Sequence, residues 1–223
     1  MFIKPLNKYS YSFPNPRLAD DEGLLAYGGD LCIPRLLTAY RKGIFPWYNA
    51  DDPILWWSPN PRMVMFLDDF KVSKSLSKTI KKQIYEIKFD ADFKSVVTHC
   101  ANVKRNYTNH TWIQDEIIEA YYELHLQGYA HSFESYFEGE LVGGGYGVVI
   151  GDIFCGESMF SLKTDASKVA LYHLVQKLKK QNFKLIDCQV PNDHLKSLGA
   201  KPIQRNEFLT LLKCSLESTA TFD

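Results

Sequence analysis

Residues 131–160 read HSFESYFEGELVGGGYGVVIGDIFCGESMF. Three segments in it, His131–Phe137, Glu140–Ile150 and Asp152–Phe160, are strand-like, and the dipeptides Glu138-Gly139 and Gly151-Asp152 between them suit tight turns. The stretch therefore predicts an antiparallel meander. Downstream, Ala166, Val169, Ala170, Leu174 and Leu178 share one side of an amphipathic helix running from about Thr164 to Lys180. Phe183–Val190 reads as a further strand, and Asn206 is placed to cap a last helix through Leu216. The order β-β-β-α-β-α predicts an α+β fold built on a mixed sheet. It is also the order of the acyl-CoA N-acyltransferase fold, whose ligand groove lies near the centre of the sheet; that likeness is one of topology alone.

Upstream of the meander the chain changes character. Residues 1–61 are rich in turns and rings, as in Phe13-Pro14-Asn15-Pro16, Gly28-Gly29-Asp30 and Gly43-Ile44-Phe45-Pro46-Trp47-Tyr48. Their periodic apolar surface is too small for a large core, so they predict a small N-terminal lobe packed on a catalytic domain of residues 62–223, with Pro59–Pro61 as the boundary. Within the lobe, Pro34 suits the first position of a short helix through Tyr40 that ends at Gly43. Beyond the boundary, Val72, Leu76 and Ile80 mark a short helix from residue 73 carrying Lys71, Lys74, Lys78, Lys81 and Lys82 on its other faces. A strand over Ile84–Phe89 follows, then a helix capped by Thr111, with Ile113, Ile117, Ala120, Tyr121 and Leu124 on one face and Gly128 as its stop.

Composition narrows the function classes. The 223 residues hold 26 basic and 26 acidic groups, with 14 Phe, 13 Tyr and 4 Trp, which excludes disorder, collagen and coiled coil. A chain of this mass buries about 70% of its unfolded surface, enough for one large core or one core with an appended lobe. The longest apolar runs are only a few residues, such as Val148-Val149-Ile150, and no apolar h-region follows Lys4 and Lys8, so neither a membrane span nor a signal peptide is expected. Cys32, Cys100, Cys155, Cys188 and Cys214 form no C-x-x-C pair, which points to reduced thiols in a cytoplasm and to no structural zinc. The zero net charge conceals segregation: residues 71–110 carry a balance of +6, and residues 111–160 hold nine acids without a Lys or Arg. Such a chain can meet a polyanion on one surface and a cation on another, although each run taken singly also suits a solvated face.

Several residues could carry chemistry. Period two along the last strand places Asp187 and Gln189 on one face and Ile186 and Cys188 on the other. The carboxylate and amide either polarise an amine or simply satisfy each other. Glu157 is an acid in an otherwise apolar strand, and Gly156 beside it leaves room for a ligand. Cys155 and Cys188 have no evident His partner and read as core filler. The glycines of Val142–Gly147 lack phosphate-loop spacing and precede a strand, so they mark a close approach or a bulge instead. Trp47, Trp56, Trp57 and Trp112 suit either the core or the stacking of an unpaired base.

Longer motifs are more specific. Gly28-Gly29-Asp30-Leu31, Gly43-Ile44-Phe45-Pro46-Trp47, Ile54-Leu55-Trp56-Trp57-Ser58-Pro59, Thr111-Trp112-Ile113, Leu141-Val142-Gly143-Gly144, Phe154–Ser161, Ala166-Ser167-Lys168 and Leu185–Gln189 occur in one order. With them the chain resembles the leucyl/phenylalanyl-tRNA–protein transferase family over nearly its whole length. The resemblance implies a cytoplasmic, monomeric enzyme that moves Leu, Phe or Met from aminoacyl-tRNA to the α-amine of proteins beginning with Arg or Lys, creating an N-degron. It implies Asp187 and Gln189 as the catalytic pair and Glu157 as the acid that helps hold the substrates. It further implies Trp47 and Trp112 around the terminal adenosine of the tRNA, with Tyr40, Tyr121 and Asn192 as polar helpers. Phe154, Met159 and Ile186 become walls of the amino-acid pocket, although Ile186 alternates away from Asp187 unless the strand bulges. Gly145 stands where relatives often carry a side chain such as Met, and Tyr136 where some carry Trp.

An aminoacyl ester is already activated, so the implied aminolysis calls for no cofactor and no metal. It needs two substrates held in attack geometry, which can be worth roughly 7–11 kcal/mol. The basic segment, with Lys74, Lys78, Lys81 and Lys82, suits tRNA phosphates, and the acidic segment suits a basic N-terminal residue. Two alternatives remain: an acyl-CoA N-acetyltransferase and an RNA-binding module. Ser161–Asp165 lacks the glycine of an acetyltransferase pyrophosphate loop, and a pure RNA binder has no use for Asp187, Gln189 and Glu157 beside an apolar pocket.

Overall fold

The computed structural model describes residues 3–102 and 113–223. In chain order the elements are β1 (Lys4–Leu6), β2 (Leu24–Gly28), α1 (Ile33–Tyr40), β3 (Phe45–Pro46), β4 (Leu55–Trp57), β5 (Arg62–Phe66), α2 (Lys74–Lys81), β6 (Glu86–Phe89) and α3 (Phe93–Asn102). There follow α4 (Asp115–Leu126), β7 (Ala130–Phe137), β8 (Glu140–Ile150), β9 (Ile153–Ser161), α5 (Ala166–Lys180), β10 (Leu185–Gln189), α6 (Asp193–Ser197), β11 (Lys201–Ile203) and α7 (Arg205–Ser215). Among the described residues the strands form two sheets, a small one ordered β1-β2-β4-β3 and a large one ordered β11-β5-β10-β9-β8-β7-β6. The protein is thus a mixed α+β fold.

The meander forms as read, with β7, β8 and β9 antiparallel. Its first turn uses positive φ at Glu138 (52°) and Gly139 (84°), the backbone shape that matches the twist of two paired strands. β10 then joins β9 in parallel, with α5 as the crossover, and pairs antiparallel with β5 on its other side. This second pairing places β5 in the large sheet, which the sequence pattern did not signal.

The glycines of β8 serve packing. A Cβ on Gly143 would lie 2.6 Å from the Cβ of Ala166, and one on Gly147 would lie 2.4 Å from the Phe154 ring. Side chains are absent there because the N-terminus of α5 and the Phe154 ring occupy the space.

Several helix starts differ from the sequence reading, each for a local reason. α7 begins at Arg205, with Gln204 as its N-cap, because the Asn206 carboxamide oxygen accepts a hydrogen bond from Arg17 Nε (2.8 Å) and caps nothing. α4 begins at Asp115, where Asp115 and Glu116 in the first turn complement the helix dipole; Thr111 lies outside the described residues. α5 begins at Ala166 after Asp165, whose φ of 62° interrupts the helix and whose carboxylate bonds Thr79 and Lys168. α1 starts at Ile33, one residue before Pro34.

Candidate active site

Two bulges on neighbouring strands create the site. In β9, Gly156 pairs with Gly147 and Ser158 with Tyr146, so Glu157 has no opposite residue. In β10, Asp187 pairs with Val64 and Gln189 with Met63, so Cys188 is likewise extra. The parallel ladder between β9 and β10 ends at the pair Asp187 and Cys155, one residue before Gly156. Bulges re-aim side chains and terminate pairing. Here they send Glu157 and Gln189 into the space where the two strands part.

That space is a cavity of about 380 Å³. Its apolar walls include Met65, Phe133, Phe154, Met159, Leu171 and Ile186. Glu157, Gln189 and Asn192 supply polar edges, and Trp47 sits on the rim, 42% exposed and 5.8 Å from the Trp57 ring. The bulge at Cys188 also resolves the conflict over strand faces. Ile186, Cys188 and Gln189 all line the cavity, while Asp187 does not, so simple alternation through Gln189 fails.

Glu157 is held by three donors. Tyr40 Oη and Gln189 Nε2 each lie 2.8 Å from its Oε1, and Tyr121 Oη lies 3.1 Å from its Oε2. The two tyrosine hydroxyls also touch, so their two protons are shared over the three oxygen contacts among Tyr40, Tyr121 and Glu157, and both rings are buried. The residue opens partly onto the cavity, but its carboxylate is enclosed. Burial raises its pKa to about 7 against the opposing pull of the Tyr40, Tyr121 and Gln189 hydrogen bonds. Both tyrosines thus serve the carboxylate directly. Because Nε2 of Gln189 donates to Glu157, its carbonyl oxygen is the end that can accept a hydrogen bond from a ligand.

Asp187 lies beneath this layer. Arg62 grips it with Nε to Oδ1 at 2.8 Å and Nη2 to Oδ2 at 2.6 Å, and both side chains are almost fully buried. Asp187 Oδ1 also accepts the backbone N–H of Gln189 at 3.0 Å, which stabilises the positive φ (62°) of Gln189. Asp187 makes no hydrogen bond to the side-chain amide of Gln189. The contact runs to the backbone instead, so Asp187 holds the residue in place. Arg62 escaped the sequence reading, although a lone cation in the apolar run Arg62–Phe66 does demand a buried partner. Arg62 Nη1 further donates to Gly43 O (3.1 Å), and the Phe45 and Phe208 rings flank its guanidinium.

Burial pushes the thiols of Cys155 and Cys188 far up, so neither is a thiolate nucleophile. Asn192 faces the cavity and caps α6 by accepting the N–H of Leu195 (3.2 Å). Trp112 lies outside the described residues. Lys74, Lys78 and Lys81 are exposed on α2, with Lys82 just after it. No group of three His, Cys, Asp or Glu side chains that could hold a metal ion occurs among the described residues.

A family model described as leucyl/phenylalanyl-tRNA protein transferase matches residues 64–213, and the model of that family's N-terminal domain matches residues 29–60. The chain is 55% identical to the leucyl/phenylalanyl-tRNA–protein transferase of Sulfurimonas denitrificans, over 94% of this chain and 91% of that one. The chain belongs to the leucyl/phenylalanyl-tRNA–protein transferase family. The transferase of Syntrophobacter fumaroxidans, at 56% identity, covers 90% of this chain and 86% of its own. Among solved structures, L-PGS from Bacillus licheniformis is similar at 14% identity with a TM-score of 0.40, over 75% of this chain and 53% of that one.

Gly145 is closely packed. A Cβ there would lie 2.6 Å from Phe133 Cζ, 2.6 Å from Ser158 O and 2.7 Å from Met159 Cγ. Neighbouring rings and Met159 fill the space, so the glycine does not enlarge the cavity. Gly145→Met should therefore destabilise the fold by about 1–3 kcal/mol through overpacking, seen as a lowered Tm. A stable variant with a new preference for Leu over Phe would contradict this.

Proposed function

We propose that the chain transfers Leu, Phe or Met from aminoacyl-tRNA to the α-amine of proteins with N-terminal Arg or Lys, marking them for degradation. The observation that carries this reading is the apolar cavity that ends at Glu157 and Gln189 where β9 and β10 part. The amino-acid side chain occupies the apolar part, and its ester carbonyl lies beside Gln189. The acceptor amine donates a hydrogen bond to Gln189 Oε1 and attacks the ester carbon. The C–N bond forms, the C–O bond to the tRNA ribose breaks, and the departing oxygen takes the amine proton. Gln189 acts at the reacting groups, Glu157 holds the side-chain amide of Gln189, and Asp187 holds its backbone.

The opening between β9 and β10 also supports the acyl-CoA N-acyltransferase-like description of the large sheet, and we keep residue 61 as the division from the N-terminal lobe. Trp47 on the rim, together with Trp112, takes the terminal adenosine. A cytoplasmic monomer completes the reading; no described helix is long and apolar enough to cross a membrane. The test is to incubate the purified protein with labelled Leu-tRNA and a peptide beginning with Arg. Label should pass to the peptide without added cofactor, and no transfer would reject the reading.

Lys74, Lys78, Lys81 and Lys82 then contact tRNA phosphates. All four are exposed, and among the described residues none has a carboxylate partner. Replacing two by Ala should flatten the log–log salt dependence of tRNA binding by up to about two units. An unchanged slope would return them to a solvated face.

A further inference from the structure

Phe222 lies beyond the stretch matched by the family model, which ends at residue 213. Its ring stacks on His131 at 4.2 Å and 28°, meets Phe89 edge-on at 6.1 Å and Phe183 at 6.4 Å, and carries Lys177 Nζ 4.8 Å from its centroid. The neighbouring backbone is tied down by Gln181 Nε2, which donates to Asp223 O (3.1 Å). The ring also lies 6.0 Å from that of Phe154. Phe154 lines the cavity and Phe222 does not.

Phe154 thus has the cavity on one side and a packed shell on the others. Gly147 gives up its side chain to the Phe154 ring, Phe133 meets it edge-on at 6.2 Å, and the Phe222 ring lies tilted by 35° against it. We propose that Phe222 is a positioning residue that fixes the wall of the amino-acid pocket through Phe154, and so sets the discrimination between leucyl and phenylalanyl esters. This rests on the transfer activity proposed above. Phe222 is only partly buried, so its removal opens a route for Phe154 to withdraw. A withdrawn Phe154 enlarges the cavity and favours the larger Phe side chain.

The experiment measures kcat/KM for Phe-tRNA and Leu-tRNA with an Arg-initiated peptide, alongside Tm, for the wild type, Phe222→Ala, Phe222→Tyr and Leu212→Ala. Leu212 is buried in a hydrophobic cluster separate from the one that holds Phe154 and Phe222, and controls for loss of stability. Phe222→Ala should raise the Phe-to-Leu ratio by at least about threefold, mainly through KM, as apolar pocket changes do. Phe222→Tyr, which keeps the ring, should return it close to the wild-type value, and Leu212→Ala should lower Tm without moving the ratio. If Phe222→Ala does not fold, Phe222→Leu is measured against the same expectation. An unmoved ratio in a folded Ala or Leu variant overturns the proposal. A wild type that transfers neither residue overturns the activity reading and this proposal with it.

Discussion

Arg62→Leu should cost about 3–5 kcal/mol of stability, because it strands the buried Asp187 carboxylate without its cation. The pair is charge-assisted and bidentate, at 2.8 and 2.6 Å, with neither side chain more than 2% exposed. Chemical unfolding should show the loss directly. Adding Asp187→Asn to Arg62→Leu should recover much of it, since the uncompensated charge is gone. The double variant should still transfer poorly, because the neutral amide is a weaker anchor for the Gln189 backbone. Strictly additive stability effects would mean that the two residues do not act as a pair.

Turnover should respond most to the groups at the bulges. Gln189→Ala should lower kcat by about 10²–10³ with little change in the binding of charged tRNA, as expected for loss of a group that orients the reacting amine. Glu157 adds a pH signature. Its pKa is raised from 4.5 to about 7 chiefly by burial, so the folded protein holds this proton more tightly than the unfolded chain. The stability linked to it is present below pH 4.5 and is lost as pH rises through about 7. The ionised form is the better acceptor for Gln189 Nε2, so transfer should rise through the same region. Glu157→Gln should abolish both dependences while lowering kcat. A pH–stability curve that Glu157→Gln leaves unchanged would refute the assignment.

The elements legible in sequence were those with strong local signals. The meander showed through turn dipeptides and long strand-like runs, and α5 through the spacing of Ala166, Val169, Ala170, Leu174 and Leu178. β1 to β5, α3, α6 and β11 carry no periodic signal strong enough to read: the strands and α6 are only two to five residues long, and α3 shows only its cap, Asp92, whose carboxylate accepts the N–H of Ser95 (3.1 Å). Glu157, Gln189, Phe154, Met159 and Ile186 were each named from sequence, and all line one cavity. Their grouping with Arg62 and Phe222 was invisible, because Arg62 meets Asp187 across 125 positions and Phe222 reaches Phe154 from a segment outside the family pattern.

The sequence by itself determined the α+β class, the order of the main elements and the residue types of the site, because periodicity, turn chemistry and motif identity are written locally. Only the tertiary structure decided which side chains face the cavity. A bulge shifts strand register without leaving a mark in composition, so period-two counting placed Asp187 beside Gln189. The folded sheet instead turns Gln189 towards Glu157 and leaves Asp187 beneath it with Arg62.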